Sequence, residues 1–202
     1  MDLIKSVGEP MNPRHLRVIP LAGVLAAVVM LLVATVSYRG DVPMSRVTVS
    51  MLCARNLPDG APNTGRAVPI IGLLILCASM ALLFQSISGA AEGRWHRDLI
   101  QIGGIGSQVY SLLTVTPLHN LMFNIASAFF LVAIVAIVSM LHRKRAYGLA
   151  VTGGVFLGVM LVHGFLYYTG RAADVWGILQ KSAFLLTTGW LLVVQMTVRR
   201  SP

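Results

Sequence analysis

Long apolar segments alternate with short polar ones along this chain. The clearest runs from Leu118 to Leu141 and contains no Lys, Arg, Asp or Glu. Because an α-helix rises about 1.5 Å per residue, roughly 20 apolar residues cross the hydrocarbon core of a bilayer. This segment predicts a membrane-spanning helix. It lies between Pro117-Leu118-His119-Asn120 and His142-Arg143-Lys144-Arg145.

The same criterion predicts an all-α polytopic membrane bundle with six transmembrane helices. The predicted spans are residues 18–37, 68–89, 99–116, 118–141, 147–169 and 175–198. Residues 1–17 and 199–202 are predicted to be tails. The longest polar connection, 38–67, has the length of a functional loop, and within it residues 47–57 predict a short helix on the membrane or capping the bundle.

The segment 99–116 is the ambiguous one, because glycine, serine and glutamine interrupt it. It fits a surface helix, a re-entrant segment or a span. If it spans, both chain termini share one side with Arg94, Arg97 and the basic residues 143–145. Cytoplasmic loops are enriched in Lys and Arg. This rule favours six spans with both termini in the cytoplasm.

Composition agrees with a membrane protein. Hydrophobic residues make up 56% of the chain and charged residues 11%, against about 25% charged residues in soluble domains. The net charge of +9 lies mostly between apolar segments, which indicates cytoplasmic loops rather than nucleic-acid binding. We therefore expect membrane lipids and other membrane subunits as partners, and no nucleic acid. Cys53 and Cys77 have no metal or disulfide spacing and are expected to be free thiols.

Polar side chains near the predicted outer ends of the spans are the functional candidates, because polar groups are costly in lipid. His119 fits a general base or a metal ligand, or a group that bonds neighbouring backbone. His163 is predicted at the same level, where two histidines could share a metal. Zinc sites need three or four ligands, and no acidic residue has diagnostic spacing, so no metal is assigned.

Ser50 in the outer loop is the candidate nucleophile, although it equally fits a serine bonded to loop backbone. Lys181 follows Gln180 near the start of the last span and either snorkels or contacts a polar group. The predicted catalytic residues are His119, His163 and Ser50, and the predicted ligand-binding residues are Asn120, Asn124, Tyr167 and Lys181. The glycines at 103, 104, 106, 153 and 154 lack a phosphate-loop pattern and predict close helix packing.

The chain resembles the six-span bacterial and archaeal membrane proteins grouped as domain of unknown function 998. The resemblance extends from Val18 to Val198 and is carried by Ser50-Met51-Leu52, Asn63, Arg66, Pro117-Leu118-His119-Asn120 and Gln180-Lys181. It implies a six-span fold in a bacterial or archaeal plasma membrane, without a settled activity. Thr114 and Thr116 stand where the family often has an acidic residue, and Gln180-Lys181 where it often has an acidic-basic pair. These departures weaken a hydrolase mechanism.

Two classes of function follow from these features. Sparse ionisable groups in the spans favour a non-enzymatic protein that binds lipid or another apolar ligand, or a helical subunit of a membrane complex. The alternative is an intramembrane metal- or serine-dependent lipid hydrolase that uses His119 with Ser50 or His163. A small-molecule transporter ranks third, because the spans lack a buried acidic residue for ion coupling. The sequence indicates no particular cofactor.

Overall fold

The computed structural model describes residues 15–171 and 173–198, and the regular elements in them are helices. They are α1 His15–Val36, α2 Val49–Cys53, α3 Ala67–Ser88, α4 Arg94–Leu113, α5 His119–Arg143, α6 Tyr147–Thr169 and α7 Trp176–Val198, with a 3-10 turn at Ala173–Val175. The all-α prediction is confirmed. Most of the predicted tails, residues 1–14 and 199–202, lie outside the described residues, while α1 begins within the predicted first tail.

Five of the helices are long and apolar enough to cross a membrane. They are α3, α5, α6, α7 and the Val18–Val36 part of α1. The helix α4 does not reach this hydropathy. It begins five residues before the predicted span and ends three before its predicted end, so its first turns include Arg94, Arg97 and Asp98. Arg94 Nε and Asp98 Oδ2 lie 3.5 Å apart and form an ion pair between residues one helical turn apart.

Successive long helices run antiparallel along the chain. Pairs of contacts fix these directions for four helix pairs: Gly23 to Ser79 and Gly72 to Met30 (α1, α3), His96 to Ser139 and Tyr110 to Phe129 (α4, α5), His142 to Tyr147 and Phe123 to Tyr167 (α5, α6), and Trp190 to Gly153 and Trp176 to His163 (α6, α7). The helices α3 and α4 are joined by the short connection 89–93 and contact each other at Phe84 and Gly104. The described chain therefore begins at His15 and ends at Val198 at the same end of the bundle.

The two ends of the bundle differ in packing. We call the end that carries residues 38–66 the loop end, and the end that carries residues 89–98 and 142–147 the basic end. Most fully buried apolar side chains lie in the basic half, including Leu83, Phe84, Ile87, Ile100, Ile134, Ile137, Leu141, Leu191 and Val194. From residue 154 to 169 in α6, no described residue is buried. The loop-end half of α6 is therefore loosely packed.

Glycines allow α4 to approach its neighbours closely. A β-carbon on Gly103 would lie 2.9 Å from the Phe129 carbonyl oxygen, and one on Gly104 would overlap the side chain of Phe84. Gly153 has the same relation to Trp190. The prediction of close packing is confirmed at these positions. It is wrong for Gly154, which has open space on its side-chain face.

A buried hydrogen bond between α3 and α7 was missed by sequence analysis. Gln195 Nε2 donates to Ser86 Oγ at 2.8 Å, and the two residues are 1% and 0% exposed. Each polar side chain satisfies the other in an apolar interior, where an unpaired amide would be strongly unfavourable. The two residues lie equally far along their helices, so α3 and α7 run in the same direction.

The loop of residues 38–66 is attached to the start of α7. Ile178 N, one of the amides that an α-helix leaves unpaired in its first turn, donates to the Ser45 carbonyl oxygen at 3.1 Å. Val49 N in turn donates to Gln180 Oε1 at 3.0 Å. We call residues 45–49 the loop strap. An ion pair between Arg46 and Asp174 adds to this attachment.

The short helix predicted within 47–57 forms only over Val49–Cys53. Thr48 caps it, since its hydroxyl accepts from Met51 N at 3.2 Å. At the other end, Asn63 Nδ2 donates to the carbonyl oxygens of Leu52 at 3.0 Å and Ala54 at 3.1 Å. Leu52 is buried, so the helix is docked on the bundle and matches the capping alternative.

Candidate functional site

Aromatic side chains connect α5, α6 and α7 near the loop end. His163 stacks on Trp176 with ring centroids 4.3 Å apart, and Tyr167 lies 5.2 Å from the same tryptophan ring. Tyr167 also lies 5.9 Å from Phe123, which stacks with His119 at 6.4 Å. We call these five residues the aromatic cluster. It brings together three of the predicted site residues, His119, His163 and Tyr167.

The two histidines are separated within the aromatic cluster. His119 stacks on Phe123 at one side and His163 stacks on Trp176 at the other. Among the described residues, no group of three or more His, Cys, Asp or Glu side chains is arranged to hold a metal ion. The geometry is that of a stacked apolar surface with a histidine at each side.

His119 has a fixed tautomer. Its Nδ1 lies 2.7 Å from the carbonyl oxygen of Thr114 in the connection from α4 to α5. Because a carbonyl oxygen can only accept, Nδ1 carries the hydrogen and Nε2 of the neutral ring is an acceptor. Bonding to neighbouring backbone was one of the alternatives that the sequence left open for His119, and this hydrogen bond is of that kind. It also leaves Nε2 able to accept a hydrogen from a bound molecule.

His163 differs from His119 in its polar contacts. Its Nε2 atom is buried, and no hydrogen-bond partner for it is found among the described residues. The ring is held instead by the face of Trp176. Most buried polar atoms are paired, whereas this nitrogen has no such partner among the described residues. It can therefore form a hydrogen bond with a ligand that enters between α6 and α7.

The predicted asparagines lie beside the aromatic cluster. Asn124 Oδ1 accepts a hydrogen bond from the Tyr168 hydroxyl, which joins α5 to α6. Asn120 is exposed at the start of α5. Asn124 therefore fixes the spacing of the two helices at the cluster, whereas Asn120 is free to meet solvent or lipid headgroups.

Lys181 lies on a different face of α7 from the aromatic cluster. Residues seven positions apart share a helix face, so Lys181 lies in line with Thr188 and Gln195, whereas Trp176 lies in line with Trp190. Gln195 bonds to α3 and Trp190 packs on α6. Lys181 is half-buried on the side of α7 toward α3, and it has no ion pair among the described residues.

Ser50 lies in α2 and is exposed. Its hydroxyl is 2.9 Å from that of Thr48, the cap of the same helix. Among the described residues, no histidine nitrogen is bonded to Ser50. The contacts of Ser50 are those of a helix N-terminus, where serine and threonine are favoured.

Gln180 was considered together with Lys181 in the sequence, and no contact was predicted for it. In the structure its side-chain oxygen holds Val49 N and thereby the loop strap. Its partner is 131 positions away, and no local pattern connects the two residues. Gln180 thus joins the loop to the bundle.

Both cysteines are free thiols, as predicted, and the structure shows that both are buried. Burial raises the pKa of the Cys53 thiol from its ordinary 9.0 to about 11, and the nearby Arg66 guanidinium acts in the opposite direction. A thiol that ionises less readily when folded stabilises the fold below pH 9. That contribution is lost as the pH rises from 9.0 through about 11, because over this range the Cys53 thiol is ionised in the unfolded chain and largely neutral in the folded one.

We expect Cys53 to resist alkylation in the folded protein. In a Cys77→Ser variant at pH 9, about one thiol in 100 is ionised when folded, compared with half when unfolded. The rate of iodoacetamide labelling, followed by mass spectrometry, should differ by about this factor between native and denatured samples. Equal rates in both samples would contradict the burial of Cys53.

No family model, no curated protein and no solved structure matches this chain.

Proposed function

We propose that this protein is a six-span integral membrane protein that binds lipid or another apolar molecule at the aromatic cluster, without chemical turnover. The observation that carries the proposal is the combination of stacked rings with loosely packed helix segments. Between residues 178 and 186 of α7, as between 154 and 169 of α6, no described residue is buried. An apolar molecule can therefore enter between these segments and pack on the rings.

The six-span arrangement is part of this proposal. The helix α4 has contacts with α5 near both of its ends, from His96 with Ser139 to Tyr110 with Phe129. A helix lying flat on the membrane cannot pair along the length of a spanning neighbour. At about 1.5 Å per residue, the 20 residues of α4 extend about 30 Å. These contacts support α4 as a span despite its low hydropathy.

We also propose an orientation in the membrane and a family for this protein. The described chain begins and ends at the basic end, and the positive-inside rule places that end in the cytoplasm. The aromatic cluster then lies in the outer half of a bacterial or archaeal plasma membrane. The resemblance to domain of unknown function 998 supports the same topology, and the binding proposal does not depend on it.

Binding is favoured over lipid hydrolysis by the contacts of the three predicted catalytic residues. Nucleophilic catalysis needs a nucleophile within hydrogen-bond reach of a base. Ser50 instead contacts Thr48, His119 donates to the Thr114 carbonyl, and His163 stacks on a tryptophan. None of these contacts joins a serine to a histidine.

Tryptophan quenching tests the binding proposal. Three variants each keep one of Trp95, Trp176 and Trp190 and carry phenylalanine at the other two positions. Each variant is titrated in detergent with a few equivalents of zwitterionic phosphatidylcholine brominated on its acyl chains. We expect saturable quenching of Trp176, because it lies in the aromatic cluster between loosely packed segments.

Trp190 is the matched control on the same helix. It is buried against α6, where its Nε1 donates to the Leu149 carbonyl oxygen at 3.1 Å. Trp190 should remain unquenched over the range of lipid that quenches Trp176. Quenching of Trp176 that is no stronger than that of Trp190 would contradict binding at the cluster.

A further inference from the structure

A groove on the exposed side of α4 and α5 lies near the basic end, far along α5 from the aromatic cluster. Its volume is about 360 Å³. Its walls are apolar, with Leu99 on α4 and Leu131, Val132 and Val135 on α5. Val132 and Val135 are 44% and 52% exposed. Along α5 the groove extends from residue 131 to 139, about 12 Å at the helical rise.

The groove becomes polar and aromatic toward the basic end. Trp95, which is 72% exposed, lies at this end. There too, His96 Nε2 and Ser139 Oγ lie 3.1 Å apart. Tryptophan is enriched where the hydrocarbon region meets the headgroups. Trp95 therefore marks the depth at which an acyl chain in the groove would join its headgroup.

A smaller pocket continues from this end of the groove. It has a volume of about 60 Å³ and shares His96 with the groove, and Arg143 and Lys144 also line it. Lys144 Nζ lies 2.7 Å from Glu92 Oε1 and is neutralised by it. Arg143 is exposed, and it has no ion pair among the described residues. The pocket thus keeps one uncompensated positive charge.

The surroundings of the pocket are also positive. Residues 89–98 and 142–147 contain five Lys or Arg and two Asp or Glu, a surplus of three positive charges. Basic residues near a membrane surface attract anionic lipids, and basic pockets between spanning helices bind anionic headgroups. Charge complementarity thus selects a negative group at the pocket, while the groove selects a hydrocarbon chain.

We propose that the groove and the adjoining pocket form one site for an anionic phospholipid. One acyl chain lies along Leu99, Val132 and Val135, and the phosphate lies beside Arg143 and His96. This site is at the opposite end of the bundle from the aromatic cluster. This site selects its lipid by the charge of the headgroup, whereas the aromatic cluster offers an apolar surface.

The variant that keeps only Trp95 tests this proposal. It is titrated in detergent with acyl-brominated phosphatidylglycerol and, separately, with acyl-brominated phosphatidylcholine. We expect the anionic lipid to quench Trp95 at a concentration at least tenfold lower. Arg143→Gln should remove most of that preference, and Arg143→Lys should retain it. Val135→Phe, which fills the groove, should weaken quenching by both lipids.

Matched controls separate this site from general effects. Arg171→Gln removes an arginine at the loop end, and Val155→Phe enlarges an exposed valine of α6. Neither change should alter quenching of Trp95. The proposal would be overturned if the two lipids quenched Trp95 equally, or if Arg143→Gln and Arg171→Gln behaved alike. It would also be overturned if the protein formed a dimer in which neither lipid quenched Trp95, because a second copy of the chain would then cover the groove. Because Trp176 reports on the aromatic cluster independently, the two proposals can fail separately.

Discussion

Gly104→Ala is expected to lower the free energy of unfolding strongly, although it adds only one methyl group. The new β-carbon would overlap the side chain of Phe84, which is fully buried and packs edge-on against Phe130. Overpacking of a core typically costs about 1–3 kcal/mol, and the upper end applies where the obstructing group cannot move. We expect a loss of about 3 kcal/mol, or about 6–12 °C in the unfolding midpoint in detergent.

The matched control for this change is Gly154→Ala. Gly154 is also in a helix interior, and its side-chain face is open. Alanine there removes backbone freedom from the unfolded chain, so stability should be unchanged or raised by up to about 1 kcal/mol. If the two variants had the same unfolding midpoint, α4 would not approach α3 as closely as described.

Gly177→Ala is expected to release the loop strap from the bundle. Its β-carbon would overlap the carbonyl oxygen of Val47 and lie 2.8 Å from that of Ser45. Both atoms belong to backbone, so a side-chain rotation cannot relieve the overlap. We expect a loss of about 2 kcal/mol from overpacking and from the lost cap on Ile178 N. Faster trypsin cleavage after Arg46 would accompany it.

The control for loop release lies on the same helix. Gly189 has open space on its side-chain face, so Gly189→Ala should leave both the unfolding midpoint and the cleavage rate after Arg46 near wild type. Cleavage that is equally slow in Gly177→Ala would mean that the loop strap does not depend on the start of α7.

The apolar pattern was sufficient to locate the long helices, because burial in lipid requires an uninterrupted apolar segment of fixed length. It placed α6 at its observed bounds and α3, α5 and α7 within one or two residues of theirs. It was least accurate for α4. That helix begins among charged residues at Arg94, and its contacts with α3 and α5 extend along glycines whose neighbours the sequence does not identify.

The candidate site was predictable only in part, since helix ends follow from the sequence but pairings across the bundle do not. His119 and His163 were expected at one level, and the aromatic cluster does connect them. The rings between them, Phe123, Tyr167 and Trp176, come from three helices. Likewise, Ser86 and Gln195 are unexceptional in their own segments, and only the parallel packing of α3 and α7 makes them partners.

The loop strap has a consequence for biosynthesis. Ser45 leaves the ribosome 133 residues (178 − 45) before Ile178, whose backbone N–H donates to the Ser45 carbonyl oxygen. Until α7 has been inserted, the loop strap lacks the backbone and side-chain groups to which it binds. A nascent chain arrested before α7 should therefore carry a protease-sensitive loop, and synthesis of α7 would allow that loop to close.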